Sequence, residues 1–352
     1  MNWTQAQKIA DAVLYEWYLL YPYRPSAIKN RQRFNFGVVY PRVYSEKQSG
    51  SDPWIMHTEC LVKSEGEAVV QVKVRCLQLS LRTVREFSIP QSDNSTACSD
   101  EYRLVDRLAV GGRVFLPCQE AVEQEISLPA FELSGTFQQL TQEFSLPAAQ
   151  IEEEVQDESG NVIGVVLREQ RLTEGAVDLS ITPLGANLRK VAVTIKNTSG
   201  FDGGNDNRDV VLMHSMLSTH SILCVENGRF ISLLEPPESL AATAAECKNV
   251  NTWPVLVGDQ GSGDVMLSSP IILYDYPQIA PESAGDLFDG TEIDEILSLR
   301  ILTMTEEEKK EVREADPRGK ALLERTETLP PEQLMKLHGV LRSLRPSEQK
   351  AS

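Results

Sequence analysis

Two histidines and a cysteine near the middle of the chain have the types and the spacing of a metal site. The segment MHSMLSTHSILC places His214 and His220 six positions apart, and Cys224 follows four positions later. Imidazole and thiolate groups are common protein ligands of zinc and nickel. If the segment is a β-strand, these even spacings put all three side chains on one face, where they are candidate ligands of Ni²⁺ or Zn²⁺. The alternative is that the histidines are half-buried polar residues of a sheet.

A second group of candidate residues is acidic. The stretch DLFDGTEIDE contains Asp286, Asp289, Glu292 and Asp294. Carboxylates are ligands that Ca²⁺ prefers, but their spacing here differs from that of an EF-hand loop. Acidic residues in the first turn of a helix interact favourably with its dipole, and Thr291 begins a capping pattern. A helix start explains the stretch best, and the alternatives are a partner-facing acidic surface and a Ca²⁺ site.

The segment FDGGNDNRD offers a second set of candidate calcium ligands. Its oxygen-bearing side chains are Asp202, Asn205, Asp206, Asn207 and Asp209. Glycine, asparagine and aspartate are also the residues that loops between strands require, because they adopt positive φ readily. A polar loop between two strands is the favoured interpretation.

A basic segment contrasts with the acidity of the whole chain. Residues 1–45 contain six lysines and arginines against two acidic residues. The planar guanidinium of arginine pairs well with carboxylates, so the segment predicts a docking surface for an acidic partner or for the acidic stretch of the same chain. Its docking candidates are Arg24, Lys29, Arg31 and Arg33, with the aromatic residues Tyr21, Tyr23 and Phe34 among them.

The composition argues against several classes of protein. A formal net charge of −17 opposes binding to nucleic acid and to anionic membranes. The six cysteines form no CxxC pair, and no motif for phosphate binding, dinucleotide binding or zinc proteolysis is present. No cofactor is expected beyond the metal alternatives above. The acidic residues Asp11 and Glu16 interrupt any signal peptide, and the chain lacks an 18-residue apolar stretch, which predicts a cytoplasmic protein without membrane insertion.

Hydrophobic periodicity predicts a mainly β protein that is α+β overall. A helix is predicted over residues 4–21. From about residue 54 to 275, valine-rich segments such as AVVQVKVRCLQL (68–79) and LRKVAVTIKNTS (188–199) alternate apolar and polar residues. Such alternation implies one solvated face and therefore antiparallel sheets. Within this region helices are predicted only around Ser239–Cys247 and at Phe137–Phe144. Short helices follow Thr291, and Thr305 with Glu308 forms a capping box for one of them.

These patterns divide the chain into three parts. Residues 1–45 form an N-terminal helix and the basic segment, packed on the core. Residues 46–284 form an antiparallel β-sandwich-like core, and the likeness between the segments at 68–79 and 188–199 suggests two related halves. Residues 285–352 form a C-terminal module of short helices.

Four segments of the chain carry a resemblance to a known family. They are YLLYPYRPSAIKNRQRFNFG, STHSILCVENGRFISLLEPP, NTWPVLVG and SSPIILYDYPQIAPESAGDLFDGTEIDEILSLRILTMTEEEK. They resemble an uncharacterised bacterial protein family associated with nickel–iron hydrogenase gene clusters, over most of the chain. The resemblance implies an accessory or assembly role near a hydrogenase in the cytoplasm. It implies no fold, no activity and no catalytic residue.

The leading hypothesis is a non-catalytic accessory protein of nickel–iron hydrogenase maturation or function. It would act by docking to a hydrogenase subunit or maturation factor through the basic segment and the acidic stretch. One alternative is a metal-binding chaperone or metal-dependent enzyme that uses His214, His220 and Cys224. Another is a structural scaffold or a subunit of a homo-oligomer.

Overall fold

The computed structural model describes residues 3–15, 36–49, 51–87, 102–133, 135–202, 204, 207–277, 304–315, 320, 323–324 and 327–328. The strands are β1 (Ile55–Phe87), β2 (Tyr102–Leu104), β3 (Leu108–Val110), β4 (Arg113–Phe115), β5 (Cys118–Ser127), β6 (Phe131–Glu132), β7 (Gln138–Leu146), β8 (Ala149–Gln156), β9 (Val162–Gln170), β10 (Thr173–Pro183), β11 (Leu188–Asn197), β12 (Met216–Ile231), β13 (Trp253–Val257) and β14 (Val265–Ser269). The helices are α1 (Trp3–Tyr15), α2 (Arg42–Lys47), α3 (Arg208–Leu212), α4 (Ala241–Ala245) and α5 (Glu306–Ala315), with a 3-10 helix at Glu238–Leu240.

One long strand organises the sheet. β1 is 33 residues long and pairs antiparallel with β11 in its first part, with β12 in its middle, and with β5 and β9 towards its end. Its register with β12 shifts between Ser64 and Val69, and such irregularities bend a strand and increase its twist. Within the described residues, twelve strands join one curled sheet, whose main path runs β13-β14-β12-β1-β11-β10-β7.

The curled sheet encloses a large apolar core. Both parts of β1 contribute to it, with Met56 and Val62 from the first part and Val72 and Val74 from the second. Phe230 of β12 packs in the same cluster and is 1% exposed. Burying one such side chain stabilises the fold by about 1.5–3 kcal/mol. The alternation of valine with polar residues therefore exists because every second residue faces this core.

Helix α1 covers the outer face of the sheet near β12 and β14. Ile9 and Ala10 of α1 are buried in a cluster with Cys224 of β12. An ion pair holds the helix in place, since Arg75 Nη2 lies 2.7 Å from Asp11 Oδ1. Within the described ranges, no helix is long and apolar enough to cross a membrane.

The predicted fold class, mainly β and α+β overall, is confirmed. The predicted segments 68–79 and 188–199 lie almost wholly in β1 and β11, and α4 with its preceding turn forms the predicted helix near residue 240. The predicted capping box also forms, because the Thr305 N–H donates to Glu308 Oε2 at 2.6 Å and the Glu308 N–H donates to Thr305 Oγ1 at 3.3 Å.

The helix predicted at Phe137–Phe144 is wrong. These residues belong mostly to β7, which pairs with β10 from Gln138 onwards. Exposed and half-buried side chains alternate along β7, which is the period of a strand at the edge of a core. Pairing with β10 thus outweighs the weak helical pattern of the segment.

Candidate functional site

The predicted docking residues lie outside the described residues. They are Arg24, Lys29, Arg31 and Arg33 of the basic segment, and Asp286, Asp289, Glu292 and Asp294 of the acidic stretch. Their roles stay predictions. The boundaries proposed at residues 45 and 284 stay predictions as well.

The three predicted metal ligands do not come together. β12 begins at Met216, so His214 lies in the turn before the strand. Ser218 has a φ of 49°, and the register with β1 shifts nearby. The even spacing in sequence therefore does not place His214 on the same face as His220 and Cys224. His220 and Cys224 are four residues apart on an extended strand, about 13 Å, whereas zinc–ligand bonds measure about 2.0–2.3 Å. In the described part of the chain, no group of three His, Cys, Asp or Glu residues is placed to hold a metal ion.

His220 and Cys224 are instead buried residues of the sheet. The His220 ring is fully buried, and its Nδ1 lies 2.8 Å from the Ser218 carbonyl oxygen. Burial, with a smaller contribution from the charge of Arg75, lowers the pKa of His220 to about 4. Burial also raises the pKa of the Cys224 thiol to about 12. A neutral imidazole and a protonated thiol are the forms present near pH 7.

The predicted polar loop at residues 201–209 agrees with the local hydrogen bonds. Asn207 is the N-cap of α3, because its Oδ1 accepts the Asp209 N–H at 3.0 Å. Asp202 Oδ1 accepts the Gly204 N–H at 3.0 Å. Asn205 and Asp206 lie outside the described residues.

A cavity of about 550 Å³ lies beside His214, a volume typical of small-ligand sites. We call it the His214 pocket. Its described lining residues are Leu79, Leu81, Gln119, Glu169, Arg171, Gly200, Phe201, Asp202, Asp209, Val210, Met213 and His214.

Three neighbouring strands form the floor of the His214 pocket. Leu81 of β1 pairs with Gln119 of β5 on one side and with Glu169 of β9 on the other. Residues directly opposite each other on adjacent strands project from the same face, so these three side chains form one row. Leu79 faces the same side two residues earlier and is buried. The floor is therefore apolar in the middle and polar at both sides.

The connection between β11 and β12 forms the wall opposite this floor. The buried Asn197 side chain donates from Nδ2 to the carbonyl oxygens of Val39 and His214, each at 2.9 Å. Its Oδ1 accepts the Ser199 N–H at 2.9 Å. The two ends of the connection are thereby tied together, which places the Phe201 ring 5.8 Å from the His214 ring, centroid to centroid.

His214 contains a buried ring nitrogen without a hydrogen-bond partner among the described residues. Burial lowers its pKa, while a hydrogen bond with the Leu172 backbone raises it and the charge of Arg171 lowers it further. The neutral ring therefore prevails near pH 7. Because Nδ1 has no partner within the described residues, the bond to Leu172 uses Nε2–H, and Nδ1 carries the lone pair. The shielded Oε1 of Gln119 likewise has no partner among the described residues.

The charges of the pocket lining favour a cation. Arg171 Nη2 lies 2.6 Å from Glu169 Oε1, so this pair is internally compensated. Asp202 and Asp209 form no ion pair within the described part of the chain. The described lining thus carries two negative charges without an ion-pair partner in the same described residues.

Sequence reasoning singled out His214 as a candidate metal ligand, and it missed Leu81, Gln119 and Glu169. These three come from segments far apart in sequence. Alternation of apolar and polar residues fixes the face of a strand but not its neighbours. No signal in a single sequence places them in one row.

Comparison with known proteins gives no assignment. The chain matches no known family model and no curated protein. The association with nickel–iron hydrogenase gene clusters therefore stays a prediction.

Proposed function

We propose that this protein is a non-catalytic docking protein that recognises a partner protein at the His214 pocket. One observation carries the proposal: a cavity of about 550 Å³ combines an apolar floor with the carboxylates of Asp202 and Asp209, which form no ion pair within the described residues. A partner side chain that is apolar along its length and positively charged at its end would complement both features.

The pocket also has the apolar surface that an interface anchor needs. Leu81 and Val210 are each 37% exposed, so the pocket offers apolar contact at its mouth as well as on its floor. Partner side chains that fill such pockets dominate the energy of many interfaces.

The partner we propose is a subunit or maturation factor of a nickel–iron hydrogenase, bound in the cytoplasm. The support is the resemblance of the four sequence segments to the hydrogenase-associated family. The basic segment with Arg24 and Arg31, and the acidic stretch with Asp286 and Asp294, are proposed to steer the encounter by charge.

The test is affinity capture of the tagged protein from its native host under conditions that express the hydrogenase. We expect the wild-type protein to retain hydrogenase subunits or maturation factors. The variant Val210→Trp, which fills the pocket mouth, is expected to lose at least nine-tenths of that material. Ile151→Trp is the matched control, because Ile151 is 55% exposed on β8 and does not line the pocket. Equal capture by both variants contradicts the proposal.

A further inference from the structure

We draw no further inference here: the strongest candidate, the cavity of about 1060 Å³ between the end of β12 and the segment at residues 274–277, has a described lining in which the basic Lys63 and Arg229 are matched by the acidic Glu235 and Asp275, and nothing in the described residues shows what covers it.

Discussion

Asn197→Asp is expected to destabilise the protein by about 3–5 kcal/mol at pH 7, a cost typical of an uncompensated buried charge. The Asn197 side chain is fully buried, and its Nδ2 donates to the carbonyl oxygens of Val39 and His214. The substitution replaces that donor with an oxygen that faces both carbonyls at 2.9 Å. Denaturant unfolding measures the loss. If the variant does not fold, Asn197→Ala is the milder test, with an expected cost of about 1–3 kcal/mol for the unpaired groups.

The matched control for this change is Asn187→Asp. Asn187 is exposed in the turn between β10 and β11, so the same chemical change there should alter the unfolding free energy by less than about 0.5 kcal/mol. The difference between the two variants should also narrow as the pH falls, because the introduced buried carboxyl becomes neutral at a raised pKa. Equal effects at positions 187 and 197 contradict the role of Asn197 as the link that holds the His214 turn.

Lowering the pH from 7 to 4 is expected to reduce the free energy of unfolding by about 3 kcal/mol through the protonation of His220 alone. Burial, with a smaller effect of Arg75, lowers its pKa in the folded protein from 6.5 to about 4. The unfolded chain therefore takes up a proton at this residue before the folded protein does. The stability contribution is complete above pH 6.5, declines as the pH falls from 6.5 towards 4, and is lost below that.

The measurement is the unfolding free energy of wild-type protein and of His220→Asn between pH 7 and pH 4. The asparagine amide is expected to keep a donor near the Ser218 carbonyl, but it does not titrate. The variant should be less stable at pH 7, and its deficit should shrink by about 3 kcal/mol at pH 4. A deficit that is constant over this range contradicts the buried, neutral state of His220. The imidazole spectrum gives a direct check, because the His220 signals should remain those of a neutral ring at pH 5.

The elements that the sequence predicts well are those whose pattern is local. The alternating valines of β1 and β11 and the capping pair Thr305 and Glu308 depend on residues within a few positions of each other. By contrast, the sequence of Phe137–Phe144 matches neither the helical period nor the strand period strongly. The segment forms a strand because it pairs with β10. The full length of β1 is also not visible in the sequence, because Ser64 and Gly66 suggest a turn where the strand only bends.

The candidate site depends on non-local contacts and was predictable only in part. The sequence singles out His214 as a candidate metal ligand, and it places Asp202 and Asp209 in a polar loop, with a calcium site as the alternative. Their actual surroundings depend on Asn197, which ties the His214 turn to the segment at Val39. Gln119 lies at the site only because β5 pairs with β1. Strand order is a property of the whole fold, so no local pattern contains it.

The measurement that tests the central claim most directly is photo-crosslinking from the His214 pocket in the native host. A photoreactive benzoylphenylalanine is placed at Val210, which lines the pocket, or at Ile151 of β8, which is more exposed and does not line it. We predict one dominant adduct from position 210 and little adduct from position 151. A dominant adduct at position 151 together with none at position 210 would contradict recognition at the His214 pocket.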